Sequence, residues 1–199
     1  MKLNRVERLM VNNPLRLMEQ LLITQWFKAM HDPSPGGRIL EIGCGRGAGA
    51  RLILTKFKPK HLVLLDLDES MISRARAYLT PAEQNAVSFC VGDATHLPFE
   101  PASVDAVFGF GFLYHVPVWR DGLQEITRVL KPHGTYYLEE LYPSLYQNVV
   151  TRRLLVHPEC DRFSSQALKD TLHAVQLRLE QTFELKKMGI LAVATKTLA

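Results

Sequence analysis

The sequence predicts an α/β fold built on a mostly parallel sheet that ends in an antiparallel hairpin. Short apolar runs alternate with segments of helical period along most of the 199 residues. A glycine-rich turn joins the first apolar run to the segment that follows it. The last two strand-like runs, 178–186 and 190–197, are separated only by a tight turn around Met188 and Gly189. Strands that close together cannot be parallel, because a parallel crossover needs about a dozen residues or more.

Asn13 and Pro14 read as an N-cap with proline in the first turn, and Leu15, Met18, Leu21, Leu22 and Met30 then recur at roughly helical spacing. This helix is expected to stop before Pro33, where Pro33, Ser34, Pro35, Gly36 and Gly37 form a turn. Residues 38–42 follow as a short apolar strand, and a helix is expected from near Gly47 to before Pro59. Residues 61–67 are a Leu and Val run bounded by charge, as suits a parallel strand covered on both faces. Asp68 can cap a helix over 70–79, with Pro81 marking the exit. Residues 86–91 and 104–112 read as strands, 118–130 as an amphipathic helix, and 134–141 as a fifth strand after the turn residues Lys131, Pro132 and His133. A last helix is expected over 165–177.

One domain is expected over 1–199, with 1–35 as a helical cap and 36–199 as the sheet core, since 47% hydrophobic residues suffice for a single core of this size. The net charge of +4 is spread along the chain, and its densest cluster, Lys56, Lys58 and Lys60, is interrupted by Pro59. This argues for a solvated surface and against nucleic acid as partner, as does the lack of an aromatic-basic face. Cys44, Cys90 and Cys160 show no zinc or disulfide spacing, no metal cluster is visible, and no apolar run approaches the ~20 residues of a membrane span. These features predict a reducing, cytoplasmic setting.

The chemistry concentrates in residues 39–50, Ile-Leu-Glu-Ile-Gly-Cys-Gly-Arg-Gly-Ala-Gly-Ala, a strand running into a glycine-rich turn that opens a helix. Such a turn brings backbone against a nucleotide. Gly43, Gly45 and Ala48 also satisfy the dinucleotide fingerprint, so the local pattern by itself leaves NAD open. Glu41, two residues before the first glycine, suits a cationic ligand. S-adenosylmethionine (SAM) carries an ammonium and a sulfonium but no pyrophosphate, so a carboxylate there is useful to it and awkward beside two phosphates. Asp66 ends the next strand, placed to accept from ribose hydroxyls. After the third strand, Gly92-Asp93-Ala94 offers a carboxylate to an adenine amino group.

These motifs resemble a class I SAM-dependent methyltransferase, of the small type related to ubiquinone and menaquinone C-methyltransferases. The resemblance spans about residues 36–141. It rests on Glu-Ile-Gly-Cys-Gly-Arg-Gly at 41–47, Leu-Asp-Leu-Asp-Glu-Ser-Met at 65–71, Gly-Asp-Ala-Thr-His-Leu-Pro-Phe at 92–99, Tyr-His-Val-Pro at 114–117 and Arg-Val-Leu-Lys-Pro-His-Gly at 128–134. It implies a Rossmann-like seven-stranded sheet of order 3-2-1-4-5-7-6 with strand 7 antiparallel. It also implies that Glu41, Gly43, Cys44, Gly45 and Gly47 line the methionine end of SAM and that Asp66 holds the ribose. Leu67 and Met71 would flank the adenine, Asp93 and Ala94 would read its edge, and Phe110 would sit near the methyl donor. Gly109-Phe110-Gly111 departs from the small polar residues common in relatives and implies a more apolar floor.

Cys44 reads as a small buried side chain rather than a nucleophile. His115 has the chemistry of a general base, but packing at the start of the next helix accounts for it as well. Tyr114 and Tyr142 could hydrogen-bond an acceptor. Leu17, Leu21, Trp26 and Phe27, beside Tyr142, Leu145 and Tyr146, suggest either a partly apolar acceptor pocket under the opening helix and residues 143–164 or, equally, the packing residues of an ordinary covering helix. Three function classes follow: methyl transfer to a small molecule, methyl transfer to RNA or protein, and nucleotide binding without methyl transfer, including an NAD oxidoreductase.

Overall fold

A computed structural model of the chain describes residues 14–32, 36–146 and 162–198. In chain order the elements are α1 (Pro14–Met30), β1 (Arg38–Ile42), α2 (Ala48–Phe57), β2 (His61–Asp66), α3 (Glu69–Tyr78), α4 (Pro81–Gln84) and β3 (Val87–Val91). β4 (Val104–Phe110), a 3-10 turn (Leu113–His115), α5 (Trp119–Val129), β5 (Leu130–Leu141), α6 (Pro143–Tyr146), α7 (Ser165–Ala174), β6 (Leu177–Leu185) and β7 (Gly189–Lys196) complete the series. The strands form one seven-stranded sheet of order β3-β2-β1-β4-β5-β7-β6. The first five are parallel, and β7 runs antiparallel to both β5 and β6. This is the order and the terminal hairpin that the sequence implies.

Alternation along the central strands divides the core between two faces. Leu40, Ile42, Val63, Leu65, Val107 and Leu138 pack with Trp119, Leu123 and Ile126 of α5 and Leu168 and Leu172 of α7. Ile39, Leu62, Leu64, Phe108 and Tyr137 pack with Phe27 of α1, Ile53 and Phe57 of α2 and Ile72 of α3. On this second face the rings of Phe108 and Tyr137 stack with centroids 4.3 Å apart. β1, β2 and β4 are buried almost end to end, which explains their continuous apolar runs.

Some boundaries differ from the sequence expectation. Asp68 caps α3 as expected, accepting from the Ser70 N–H at 3.0 Å. α3 ends at Tyr78, before Pro81 as expected, and Pro81 also opens α4, where Thr80 and Glu83 form a reciprocal capping box. β4 stops at Phe110, and residue 112 leads into the 3-10 turn. β5 begins at Leu130 rather than at 134, because buried Leu130 already pairs with Val104. Lys131, Pro132 and His133 form an irregular start, with left-handed His133 and a register shift against β4. Asn13, Pro33 and most of the expected 143–164 cap lie outside the described residues.

Candidate functional site

The chain order reverses between β1 and β4: β2 and β3 lie to one side, β4 and β5 to the other. Ligands of open α/β sheets bind beyond the carboxyl ends of the strands at such a switch point. Here a cavity of about 530 Å³ lies between the turn after β1, the ends of β2 and β4, and one side of α1.

The turn after β1 is fixed to the sheet by its own backbone, with the N–H groups of Gly43 and Cys44 both donating to the Leu65 carbonyl at 2.8 and 3.1 Å. Gly43 has φ +70°, and a Cβ there would come 2.6 Å from Cβ of Phe112, so only glycine lets the turn pass under that ring. Gly49, in the first turn of α2, is required for a different reason. A Cβ on it would overlap Oε1 of Glu41 and lie 2.9 Å from the Phe110 ring.

Glu41 is the least expected group in this core. It is 2% exposed, and its Oε2 is buried with no hydrogen-bond partner. Burial first, and the neighbouring Asp66 carboxylate second, hold its pKa well above the usual carboxylate range. An unpaired buried carboxylate costs several kcal/mol unless something compensates it, so it is poised to meet a cation. Cys44 is buried beside it, and its thiol is pushed up by burial and then by the Glu41 and Asp66 charges, so thiolate chemistry is disfavoured.

Asp66 closes the other side of the turn. One carboxylate oxygen accepts from Gly45 N–H and the other from Asp68 N–H, each at 2.9 Å. Each oxygen keeps lone-pair capacity for a further donor. Burial raises the pKa of Asp66 against the lowering effect of these two N–H groups. Asp93 is organised differently: its Oδ1 accepts both the backbone N–H and the hydroxyl of Thr95 at 2.9 Å. Those bonds, led by the backbone one, keep it below the usual range.

Strand alternation sends the adjacent acids of β5 to opposite faces. Glu139 meets Arg16 of α1 in a bidentate pair of 2.6 and 2.7 Å, with the two side chains 17% and 5% exposed, so α1 is tied across the cavity by a largely buried ion pair. Glu140 accepts the N–H groups of Leu113 and Tyr114 at 3.0 and 3.2 Å and so pins the 3-10 turn. Its burial raises it to about 8 in spite of these donors.

Of the residues expected to hold a cofactor, Glu41, Gly43, Cys44, Gly45, Asp66, Leu67, Met71, Asp93, Ala94 and Phe110 all line the cavity. Gly47 does not. It precedes α2, where a Cβ would press on the backbone of Ala75 at 3.2 Å, so its place is in helix packing. Tyr114 and His115 line the cavity with their rings 4.1 Å apart. Tyr142 is directed elsewhere, donating to Glu184 at 2.7 Å. Of the two readings of the opening helix, packing accounts for its apolar residues: α1 presents Arg16, Glu19 and Gln20 to the cavity. Phe27 is fully buried in the sheet core instead. The side chains of Leu145 and Tyr146 lie outside the described residues. Arg16, Glu139, Glu140 and Gly49 went unnoticed in the sequence. Only the two adjacent acids inside an apolar strand, and the glycine recurring at alternate positions from 43 to 49, were signals available there. Among the described residues no group of His, Cys, Asp and Glu is placed to hold a metal ion, and no helix is long and apolar enough to cross a membrane.

Residues 40–138 match the sequence profile of the methyltransferase domain family, over the segment that builds this cavity. The chain belongs to the class I SAM-dependent methyltransferases. Its Rossmann-like sheet is the methyltransferase fold. This methyltransferase is 37% identical over 119 residues to a sterol 24-C-methyltransferase of Gibberella zeae, covering 57% of the chain and 30% of that protein. It is 34% identical over 108 residues to a fatty-acid O-methyltransferase of Mycolicibacterium smegmatis, covering 54% of the chain and 38% of that protein. The chain thus spans about a third of the length of these curated relatives. In fold it is similar to a SAM-dependent methyltransferase from Aquifex aeolicus, with a TM-score of 0.78 at 17% identity over 98% of this chain and all of the other.

Proposed function

We propose that residues 1–199 act as one cytoplasmic methyltransferase domain that passes the methyl group of SAM to a small, largely apolar acceptor. The observation that carries this reading is the buried, unpartnered Glu41 carboxylate at the base of a glycine turn. Such a group fits a cationic nucleoside and would repel a pyrophosphate, which disfavours NAD. The apolar character of the acceptor is supported by Phe110, Phe112, Val116, Val118 and Leu141 on the cavity wall. It is also supported by the sterol and fatty-acid names of two relatives.

The residues fit the cofactor. Glu41 would meet its ammonium. Asp66 would accept from ribose hydroxyls while still bracing Gly45 and Asp68. Leu67 and Met71 would flank the adenine, with Asp93 and Ala94 at its edge and Phe110 towards the methyl group. When bound, SAM supplies a methyl already activated by its sulfonium. The protein's part is then to orient the acceptor and exclude water, which is worth several kcal/mol by proximity alone. The Arg16–Glu139 pair contributes by holding α1 over the cavity, and Glu140 by fixing the turn that carries Tyr114 and His115. His115 borders the cavity and would serve as a base only for an acceptor that must lose a proton.

Thermal denaturation tests the binding half of this reading. S-adenosylhomocysteine at about a hundred times its Kd should add ~2.7 kcal/mol of stability, and NAD none. Methyl-labelled SAM tests the transfer half. Label should pass to organic-extractable small molecules, and label recovered only in RNA or protein would refute the acceptor class.

A further inference from the structure

β3 and β4 are parallel strands separated in the sheet by β2 and β1, yet the segment that joins them, residues 92–103, contains no helix. Parallel crossovers usually carry a helix that packs on the sheet and so fixes their path. This one is fixed by a neighbouring helix instead. It opens with Gly92, Asp93 and Ala94, all on the cavity wall.

The fixing groups are Glu125 and Arg128 of α5. Glu125 Oε2 accepts the N–H of Leu97 at 2.7 Å. Arg128 donates through Nη1 to the Phe99 carbonyl at 2.7 Å and through Nη2 to the Leu97 carbonyl at 2.9 Å. A bidentate pair of 2.6 and 2.8 Å locks the two side chains together and fixes the direction of the guanidinium fork. A Glu–Arg pair on a helix surface by itself contributes little to stability. Here it is only 20% and 33% exposed, and its remaining hydrogen bonds all go to the loop. The backbone carries the restraint back to Asp93: His96, next to Leu97, donates its N–H to the Asp93 carbonyl at 3.0 Å. Thr95 occupies Asp93 Oδ1, so Oδ2 is the oxygen available to a ligand. The same helix also borders Ala94, since a Cβ on Gly122 would lie 3.9 Å from the Ala94 carbonyl oxygen. The sequence segments 92–99 and 128–134, both part of the family resemblance, thus meet at this clamp.

We propose that Glu125 and Arg128 are positioning residues for the cofactor: from α5 they set the 92–99 loop so that the Asp93 carboxylate meets the amino group of adenine. This rests on the methyltransferase reading above. Base discrimination tests it. S-inosylhomocysteine has a carbonyl where S-adenosylhomocysteine has that amino group, so in titration calorimetry the wild type should bind it about tenfold more weakly or worse. Arg128→Met keeps the apolar stem and removes the clamp. Its preference should fall to within about threefold of parity, because a hydrogen bond weakens steeply once its geometry is lost. Glu125→Gln keeps an acceptor for Leu97 but not the ion pair; it should show an intermediate preference, and it carries the test should Arg128→Met not fold. Asp93→Ala should lose the preference outright, and Arg128→Met added to it should change the ratio no further. A fold merely loosened would weaken both nucleosides in proportion and leave their ratio as it was. That result in the α5 variants overturns the proposal, as does a wild type without preference or the failure of both variants to fold. A wild type that binds neither nucleoside overturns the methyltransferase reading and this inference with it.

Discussion

Replacing Glu41 by Gln should weaken cofactor binding and strengthen the ligand-free fold at the same time. The amide keeps the volume of a side chain wedged against Gly49 and Phe110 but carries no charge. A hydrogen bond to a charged group contributes about 1.5–3 kcal/mol, so the Kd for S-adenosylhomocysteine should rise by roughly ten- to a hundredfold. The stability effect has the opposite sign. Burial raises the Glu41 pKa in the folded state above its unfolded value near ~4.3, so its contribution to stability is fully present below that value. It is lost as pH rises through the folded-state pKa. Above that pKa the variant should therefore be the more stable protein, while the two should converge in mild acid. Calorimetric titration gives the affinity, and urea denaturation from pH 5 to pH 9 gives the stability. Unchanged affinity, or a variant less stable than wild type at alkaline pH, would refute the reasoning.

Gly49→Ala should cost about 1–3 kcal/mol by overpacking against Glu41 and Phe110, and binding of S-adenosylhomocysteine should fall with it; denaturation and titration of one preparation measure both. Arg16→Met leaves Glu139 buried without its cation and should destabilise the fold by about 3–5 kcal/mol, with much of the loss recovered when Glu139→Gln is added; a double-mutant cycle in urea checks this. Glu140, raised to about 8, loses its stabilising contribution between its unfolded pKa and that value as pH rises. Glu140→Gln should accordingly flatten the stability profile over this window by up to about 1.4 kcal/mol per pH unit.

Most of the fold was legible because burial on both faces writes itself as uninterrupted Leu, Ile and Val in β1, β2 and β4. The hairpin of β6 and β7 was legible from the shortness of the link at Met188 and Gly189. α4 was missed because proline both ends and begins helices, and only the Thr80–Glu83 pair around Pro81 shows that it does both. The start of β5 was hidden because Lys131, Pro132 and His133 have turn chemistry although Leu130 is already paired with β4.

The site divides in the same way. Glu41, Asp66 and Asp93 sit at or beside strand ends at fixed offsets, so sequence spacing finds them. The Arg16–Glu139 pair spans 123 residues of chain, and no local pattern joins its partners. The orientation of α1 stayed open in the sequence because apolar residues lie on two of its sides. Periodicity alone does not tell which side is buried, and Phe27 went to the core while Leu15, Met18 and Leu22 went to solvent.

The central claim is that a cation settles on a buried carboxylate that the empty fold leaves unpartnered and whose pKa its burial raises. Titration calorimetry of the wild type with S-adenosylhomocysteine in mild acid, in acetate and in MES, tests it most directly because these buffers differ in ionisation heat. The account predicts binding in both buffers, an observed heat that depends on the buffer with the sign of proton release, and no heat with NAD. Absence of binding, or binding with identical heats in the two buffers, would contradict it.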